Sequence, residues 1–174
     1  MNNWIQTAKD LGFDEAVALK VATLQPRADV RAMCQADKCG AYGKNWTCPP
    51  HCGTLEECGE KLQSYRQGIL LQTVGKLEKT IDSKGYLLAE QRHLAQFHAF
   101  TDILRKSHPD ALCLGAGGCR ICQSCAYPEA CRFPEKARQS MEACGIDVVT
   151  LSRQCGIKYI NGADTVTYFS MLLF

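Results

Sequence analysis

The chain reads MCQADKCGAYGKNWTCPPHCG at residues 33–53 and GGCRICQSCAYPEACRFPE at residues 117–135, and these segments hold eight of its twelve cysteines. The eight are Cys34, Cys39, Cys48 and Cys52 in the first group and Cys119, Cys122, Cys125 and Cys131 in the second. Four thiolates within a short loop can surround one metal centre, because bringing them together costs little chain entropy. Two such groups in 174 residues predict a protein organised around metal centres.

The spacing of the second group indicates an iron–sulfur cluster. It follows C-x2-C-x2-C-x5-C, whereas structural zinc usually takes two C-x2-C pairs separated by a longer segment. The nearest match is the bacterial ferredoxin run C-x2-C-x2-C-x3-C-P, in which three closely spaced thiolates bind one cubane. The longer last gap leaves the fourth ligand open between Cys131, which the spacing favours, and Cys113.

The first group follows C-x4-C-x8-C-x3-C and matches no zinc motif closely. Gly40 and Gly43 lie between its ligands and permit close approach of the backbone to a bulky cofactor. His51 or Cys58 is an alternative to Cys52 as the fourth ligand, although a histidine in this position is more often a hydrogen-bond donor behind the ligands. A loop cross-linked by zinc is the competing interpretation.

Composition narrows the class of protein. The chain has 46% hydrophobic residues and a formal net charge of +2, with no basic stripe of the kind that binds nucleic acid. It has no signal-peptide pattern at its N-terminus and no apolar run near the roughly 20 residues of a membrane helix. We therefore expect a cytoplasmic protein that binds neither nucleic acid nor membrane. In a reducing compartment, many cysteines favour metal or redox chemistry over disulfides.

Apolar periodicity predicts one domain, residues 1–174, of α/β or α+β class, with a small mixed β-sheet flanked by helices and cluster loops at 33–53 and 113–134. The expected helices cover residues 4–11, 56–65, 83–107 and 134–144. The expected strands cover residues 16–24, 28–33, 68–74, 111–114, 146–151 and 165–174, the last of them buried on both faces.

Capping residues, isolated cysteines and histidines give three further expectations. Thr54 followed by Glu57 predicts a capping box at the start of a helix. The isolated Cys58, Cys144 and Cys155 are expected in the core, where free cysteine is common. His93 and His98 are five residues apart, so a helix separates them by about 140° and they cannot share a metal; we expect both on the surface.

The segments CGAYGKNWTCPPHC (39–52), GGCRICQSCAYPEACRFPEKARQSMEACGIDV (117–148) and TVTYFSMLLF (165–174) resemble the cysteine-rich, predicted metal-binding proteins of anaerobic bacteria and archaea, a family classed as a domain of unknown function. The resemblance implies binding of [4Fe–4S] clusters with no settled reaction. In that pattern Cys34, Cys39 and Cys48 are more firmly placed than Cys52. The resemblance therefore implies a first cluster with three fixed thiolates, whose open iron Cys52 closes here.

These observations predict a small electron-transfer protein with two [4Fe–4S] clusters and a redox partner protein. The first alternative is an enzyme in which an open iron acts as a Lewis acid or handles sulfur. The second is a structural zinc module that binds other proteins.

Overall fold

The computed structural model describes residues 1–79 and 81–174. Its helices are α1 Asn2–Asp10, α2 Ala28–Gln35, α3 Leu55–Gln63, α4 Ser83–Arg105 and α5 Val148–Gln154. Its strands are β1 Glu15–Leu19, β2 Gly68–Lys76, β3 Leu112–Leu114 and β4 Thr165–Leu173. Two short 3-10 turns cover Val21–Thr23 and Glu142–Cys144. In this part of the chain, no helix combines the length and apolar character that a bilayer crossing requires.

The four strands form one sheet in the order β1-β2-β4-β3, and every neighbouring pair is antiparallel. The longest pairing joins β2 to β4, with Gly68 opposite Leu173 and Lys76 opposite Thr165. The α+β class is confirmed, but the expected mixed sheet is wrong. Helices and strands alternate along the sequence, yet each sheet neighbour runs in the opposite direction, so no parallel βαβ unit forms.

Both faces of the sheet are covered, because consecutive residues of a strand point to opposite sides. On one face, Leu70 and Met171 pack with Leu62 of α3 and Leu151 of α5. The other face carries a second cluster, in which sheet residues pack against α1 and α4; it includes Ile69, Leu71, Leu172, Phe97 and Phe100. The prediction that the last strand is buried on both faces is confirmed for the C-terminal part of β4, residues 169–173.

Local sequence signals place several elements correctly. The hydroxyl of Thr54 accepts a hydrogen bond from the backbone N–H of Glu57, whose carboxylate accepts one from the N–H of Thr54. This capping box begins α3 as predicted. The long helix is also confirmed as α4, and its first turn is capped by Asp82, whose carboxylate accepts from the N–H of Gly85.

Three expected elements are wrong. Residues 28–33 form the helix α2 rather than a strand, since Asp29 in its first turn suits a helix N-terminus. Residues 146–151 do not form a strand, because Asp147 caps α5 by accepting from the N–H of Thr150. Residues 134–144 form turns instead of an α-helix. The carbonyl of Gln139 accepts from the N–H of Gly115, and the N–H of Met141 donates to the carbonyl of Gly115, so these groups are not free for helical hydrogen bonds.

A buried polar cluster lies between α4 and the sheet, centred on His93, which is only 1% exposed. Its Nδ1 lies 2.8 Å from the hydroxyl of Thr73, and its Nε2 lies 2.6 Å from that of Ser170. The ring stacks on Phe97 with the two planes 3° apart. The expected surface position of His93 is therefore wrong. His98, one turn further along α4, is half-buried.

Candidate metal centres

All four cysteines of the second group line a single pocket, which we call the second pocket. Its cysteines are Cys119, Cys122, Cys125 and Cys131, and its enclosed volume is about 30 Å³. The segment from 116 to 139 contains no helix or regular strand, so the thiols are held by turns. One cross-link within it runs from the guanidinium of Arg132 to the carbonyl of Ser124 at 2.9 Å. Cys113 does not line this pocket.

Aromatic side chains join the two cysteine loops. The indole N–H of Trp46 donates to the carbonyl of Glu129 at 2.7 Å, and its ring meets Tyr127 edge-on at 5.0 Å. His51 stacks on Tyr127 at 4.3 Å. Trp46 also lines the second pocket, so a residue of the first loop forms part of the wall of the second centre. His51 is occupied by this stacking and lines neither cysteine pocket.

Three cysteines of the first group line another pocket, which we call the first pocket. Cys34 comes from the last turn of α2, whereas Cys39 and Cys48 come from the turns that follow. Gly40 and Gly43 adopt left-handed backbone conformations in these turns, with φ of 70° and 67°. The pocket encloses about 320 Å³, and Glu142 lies in its wall.

Burial makes charge expensive in the first pocket unless a cation is present. It raises the pKa of the Cys48 thiol to about 11, and it also raises the pKa of Cys34. Burial likewise raises the pKa of the Glu142 carboxyl. The Oε2 atom of Glu142 is buried and has no hydrogen-bond partner among the described residues. A metal bound here would compensate both thiolate and carboxylate charge.

Cys52 does not line the first pocket. Arg31 of α2 donates to the carbonyl of Ala143 at 2.6 Å and lies 3.3 Å from the Cys52 Sγ. Behind it, a hydrogen bond with Cys144 lowers the pKa of Cys58, and the guanidinium of Arg31 acts in the same direction. The alternative ligand Cys58 thus pairs with Cys144 in the core, away from both pockets.

The two pockets adjoin at two peptide bonds. Thr47 lines the second pocket and Cys48 the first, while Gly118 lines the first pocket and Cys119 the second. A Cβ atom on Gly118 would lie 3.7 Å from the Cys48 Sγ, so the two segments are in contact. The walls of the two pockets therefore meet at both places, through residues that are consecutive in the chain.

The cysteines line the pockets without converging on a point. Among residues 1–79 and 81–174, no group of three or more His, Cys, Asp or Glu side chains is arranged to hold a single metal ion. The donor set is nevertheless suited to soft metals, because thiolates select zinc and iron–sulfur clusters. Thiols around a cubane bind different irons at its corners, whereas those around zinc must all reach one ion.

A single α+β domain with cysteines gathered at two adjoining pockets is typical of a cysteine-rich metal-binding protein. Comparison with protein families agrees with this class. The chain belongs to the family described as predicted metal-binding protein (DUF2284), whose model matches residues 17–174. Comparisons with curated proteins and with solved structures gave no match. The family named by resemblance is thereby confirmed; the match describes it as predicted metal-binding and shows neither an iron–sulfur cluster nor an anaerobic source.

Two residues of the site were missed by sequence reasoning. Glu142 is 90 residues or more from the first cysteine loop and reaches it only through the 3-10 turn that packs against α2. Arg31 lies three residues before Cys34, one helical turn away, so the helix α2 places both on one side. Had α2 been expected as a helix, that spacing would have identified Arg31.

Proposed function

We propose that the protein binds a [4Fe–4S] cluster in each cysteine pocket and transfers electrons to or from a partner protein. The observation that supports this most is the contact between the pockets at Thr47–Cys48 and Gly118–Cys119. A structural metal has no need of a second one beside it, whereas an electron relay requires close centres. The spacing of the second group, with its similarity to the ferredoxin run, supports the cluster type.

The residues of both pockets fit this assignment to different degrees. The first pocket, at about 320 Å³, lies within the range of roughly 300–1,000 Å³ that is usual for small-molecule and cofactor sites. The second pocket, at about 30 Å³, is much smaller, so a cubane, or an ion bound by all four thiols, requires its loop to rearrange. That loop consists of turns with mostly exposed or half-buried residues, which permits such a movement. Zinc in the second pocket is the competing assignment.

When bound, the clusters supply one-electron chemistry, and the chain supplies the ligands and surroundings. Cys34, Cys39 and Cys48 hold the first centre, and the four cysteines of the second pocket hold the other. Metal binding requires thiolates, so Cys48 must lose a proton that burial makes it retain. Trp46 covers one side of the second pocket and limits access of water, which affects the cluster potential.

Metal and sulfide content, with EPR before and after dithionite on protein purified without oxygen, tests the proposal. The expected result is about eight irons and eight sulfides, with a signal that appears on reduction. The double variant Cys122→Ser/Cys125→Ser should keep about four of each. Cys155→Ser is the matched control, because Cys155 packs against the core away from both pockets and should keep all eight.

Two results would contradict the proposal. Zinc without sulfide would make the protein a structural zinc module. If Cys122→Ser/Cys125→Ser kept all of its iron and sulfide, these cysteines would not hold a second cluster.

A second candidate function is an enzyme that uses an open iron in the first pocket. Three observations support it: this pocket is lined by three cysteines, Cys52 lies beside Arg31, and one carboxylate oxygen of Glu142, Oε2, has no hydrogen-bond partner among the described residues. A cluster held by three thiolates has one iron without a protein thiolate. In this candidate, Glu142 would occupy that position as a weak, displaceable oxygen ligand.

Cyanide, a small anion that binds iron, tests this candidate in the Cys122→Ser/Cys125→Ser background, where only the first centre is present. Cyanide should change the EPR signal of that centre, and Glu142→Gln should lower the concentration required. Glu129→Gln is the control, because Glu129 is exposed on the other loop. A signal insensitive to cyanide would contradict an open iron. Sensitisation by Cys52→Ser and not by Glu142→Gln would assign the fourth position to Cys52.

A further inference from the structure

The structure carries a charged cleft that neither metal centre uses. The cleft encloses about 600 Å³ between the end of α3, the end of α4, the strand β3 and residues 134–139. Three basic residues line it, Lys61, Arg105 and Arg138, together with two exposed acidic ones, Asp110 and Glu135. Cys113, the alternative fourth ligand of the second centre, lies in its floor and is only 3% exposed. We propose that this arginine cleft binds a small oxyanion-bearing molecule, such as a phosphate ester or a dicarboxylate.

The backbone holds the two guanidinium groups together. Nη1 of Arg105 and Nη1 of Arg138 both donate to the carbonyl of Glu135, each at 2.8 Å. Arg138 Nη1 also donates to the carbonyl of Ala137 at 2.9 Å. Two cations therefore meet at one carbonyl oxygen, which compensates neither charge fully.

The charge of this pair is not neutralised by a carboxylate. No ion pair within 4.0 Å joins Arg105, Arg138 or Lys61 to any acidic group in the described part of the chain. The Nε atoms of both arginines are buried and make no hydrogen bond among the described residues. Burial, followed by the charge of Arg105, lowers the pKa of Arg138. A guanidinium remains protonated in proteins, so an anion in the cleft would offset this cost beyond the partial compensation that Asp102 provides.

The geometry selects an oxyanion rather than a halide. A guanidinium presents donors in a planar fork that matches the two oxygens of a carboxylate or phosphate. Lys61, which is exposed at the opposite side, adds a mobile point charge. The cleft is far larger than one phosphate and lies within the usual range for small-molecule sites, so the anionic group belongs to a larger molecule.

The cleft adjoins the second pocket, because Trp46, Thr47 and Ala137 line both. A bound molecule would thus lie against the wall of the second centre. The positive charge of Arg105 and Arg138 in the cleft is present with or without a metal in either pocket. The competing explanation is that Arg138 only balances the charge of the second centre, since Cys119 also acts on its pKa.

Isothermal titration of the full chain with inorganic phosphate, and separately with succinate, tests the inference at low ionic strength with chloride as reference. We expect at least one of the two probes to bind, and Arg105→Gln and Arg138→Gln each to weaken binding about tenfold or more. Arg138→Lys should also weaken it, because the charge remains but the fork is lost. This variant keeps the test valid if Arg138→Gln fails to fold.

Two controls separate the explanations. Arg153→Gln removes an exposed positive charge from the end of α5 and should leave the affinity unchanged. Cys122→Ser/Cys125→Ser should also bind the probe as before. Failure of both probes to bind, an equal loss in Arg153→Gln, or a loss in the cysteine variant would each overturn the inference. If protein without iron still binds phosphate or succinate, the cleft is an anion site even though the proposed clusters are absent.

Discussion

Acidification should destabilise the fold through His93, the histidine enclosed between α4 and the sheet. Burial lowers its pKa from an ordinary value of 6.5 to about 4, and the nearby charge of Arg92 acts in the same direction. Its ring contacts hydroxyls of Thr73 and Ser170, and no carboxylate among the described residues bonds to it. The folded state therefore holds His93 neutral, whereas the unfolded chain protonates it at mildly acidic pH.

The magnitude follows from the two pKa values. Between pH 6.5 and pH 4 the unfolded state binds more protons, so the free energy of unfolding falls as the pH falls. At about 1.36 kcal/mol per pH unit, the loss from His93 reaches roughly 2 kcal/mol at pH 5 and roughly 3 kcal/mol at pH 4. Below pH 4 the folded protein also protonates the ring and the loss levels off. Above pH 7 this histidine makes no pH-dependent contribution.

Urea unfolding of the wild-type protein and of His93→Gln, from pH 7.5 to pH 4, is the assay. The difference in stability between the two should shift by about 3 kcal/mol in favour of the variant as the pH falls to 4. Both proteins carry the same cysteines, so release of metal at low pH cancels in the difference. A difference between wild type and His93→Gln that stays constant within about 0.5 kcal/mol would refute the reasoning.

Two further predictions concern stability at neutral pH and are measured by urea unfolding. Thr54→Ala removes the cap of α3 and should lower the free energy of unfolding by about 1 kcal/mol. Thr54→Ser keeps the hydroxyl and should be nearly neutral. Equal losses in the two variants would contradict the capping role. Gly75→Ala places a Cβ against Ala89 of α4 and should cost about 1–3 kcal/mol. Gly59 lies inside α3, and a Cβ there would meet only Pro26, at 3.7 Å. Gly59→Ala should therefore stabilise the protein by about 0.4–1 kcal/mol, and a loss of stability would contradict the open space at this position.

Elements with strong local signals could be predicted from the sequence. The capping box at Thr54 begins α3, and the apolar repeat through Phe97, Phe100 and Leu104 identifies α4. The same repeat contained the signal for His93, which lies four residues before Phe97 and shares its buried face. Considering the spacing between histidines alone, without this face, led to the wrong surface assignment.

Other elements depend on contacts that local sequence does not reveal. The turns of residues 134–144 exist because Gly115 pairs with Gln139 and Arg105 with the carbonyl of Glu135, both distant in sequence. The short apolar run of residues 28–33 fits both the strand period of two residues and the helical period of 3.6. In the structure it is helical and packs against the 3-10 turn Glu142–Cys144. For the candidate site, the cysteine groups were visible at once, whereas the contribution of Glu142 required the tertiary fold.

The contact between the pockets has a thermodynamic consequence for how the protein is filled. Thr47 and Cys48 belong to different pockets, as do Gly118 and Cys119, so ordering either pocket restrains the backbone of the other. On the proposed assignment, metal bound at one centre lowers the entropy cost of binding at its neighbour, and linkage makes the effect equal in both directions. Under limiting metal supply, the population should divide into empty and doubly filled molecules, with few that hold a single centre.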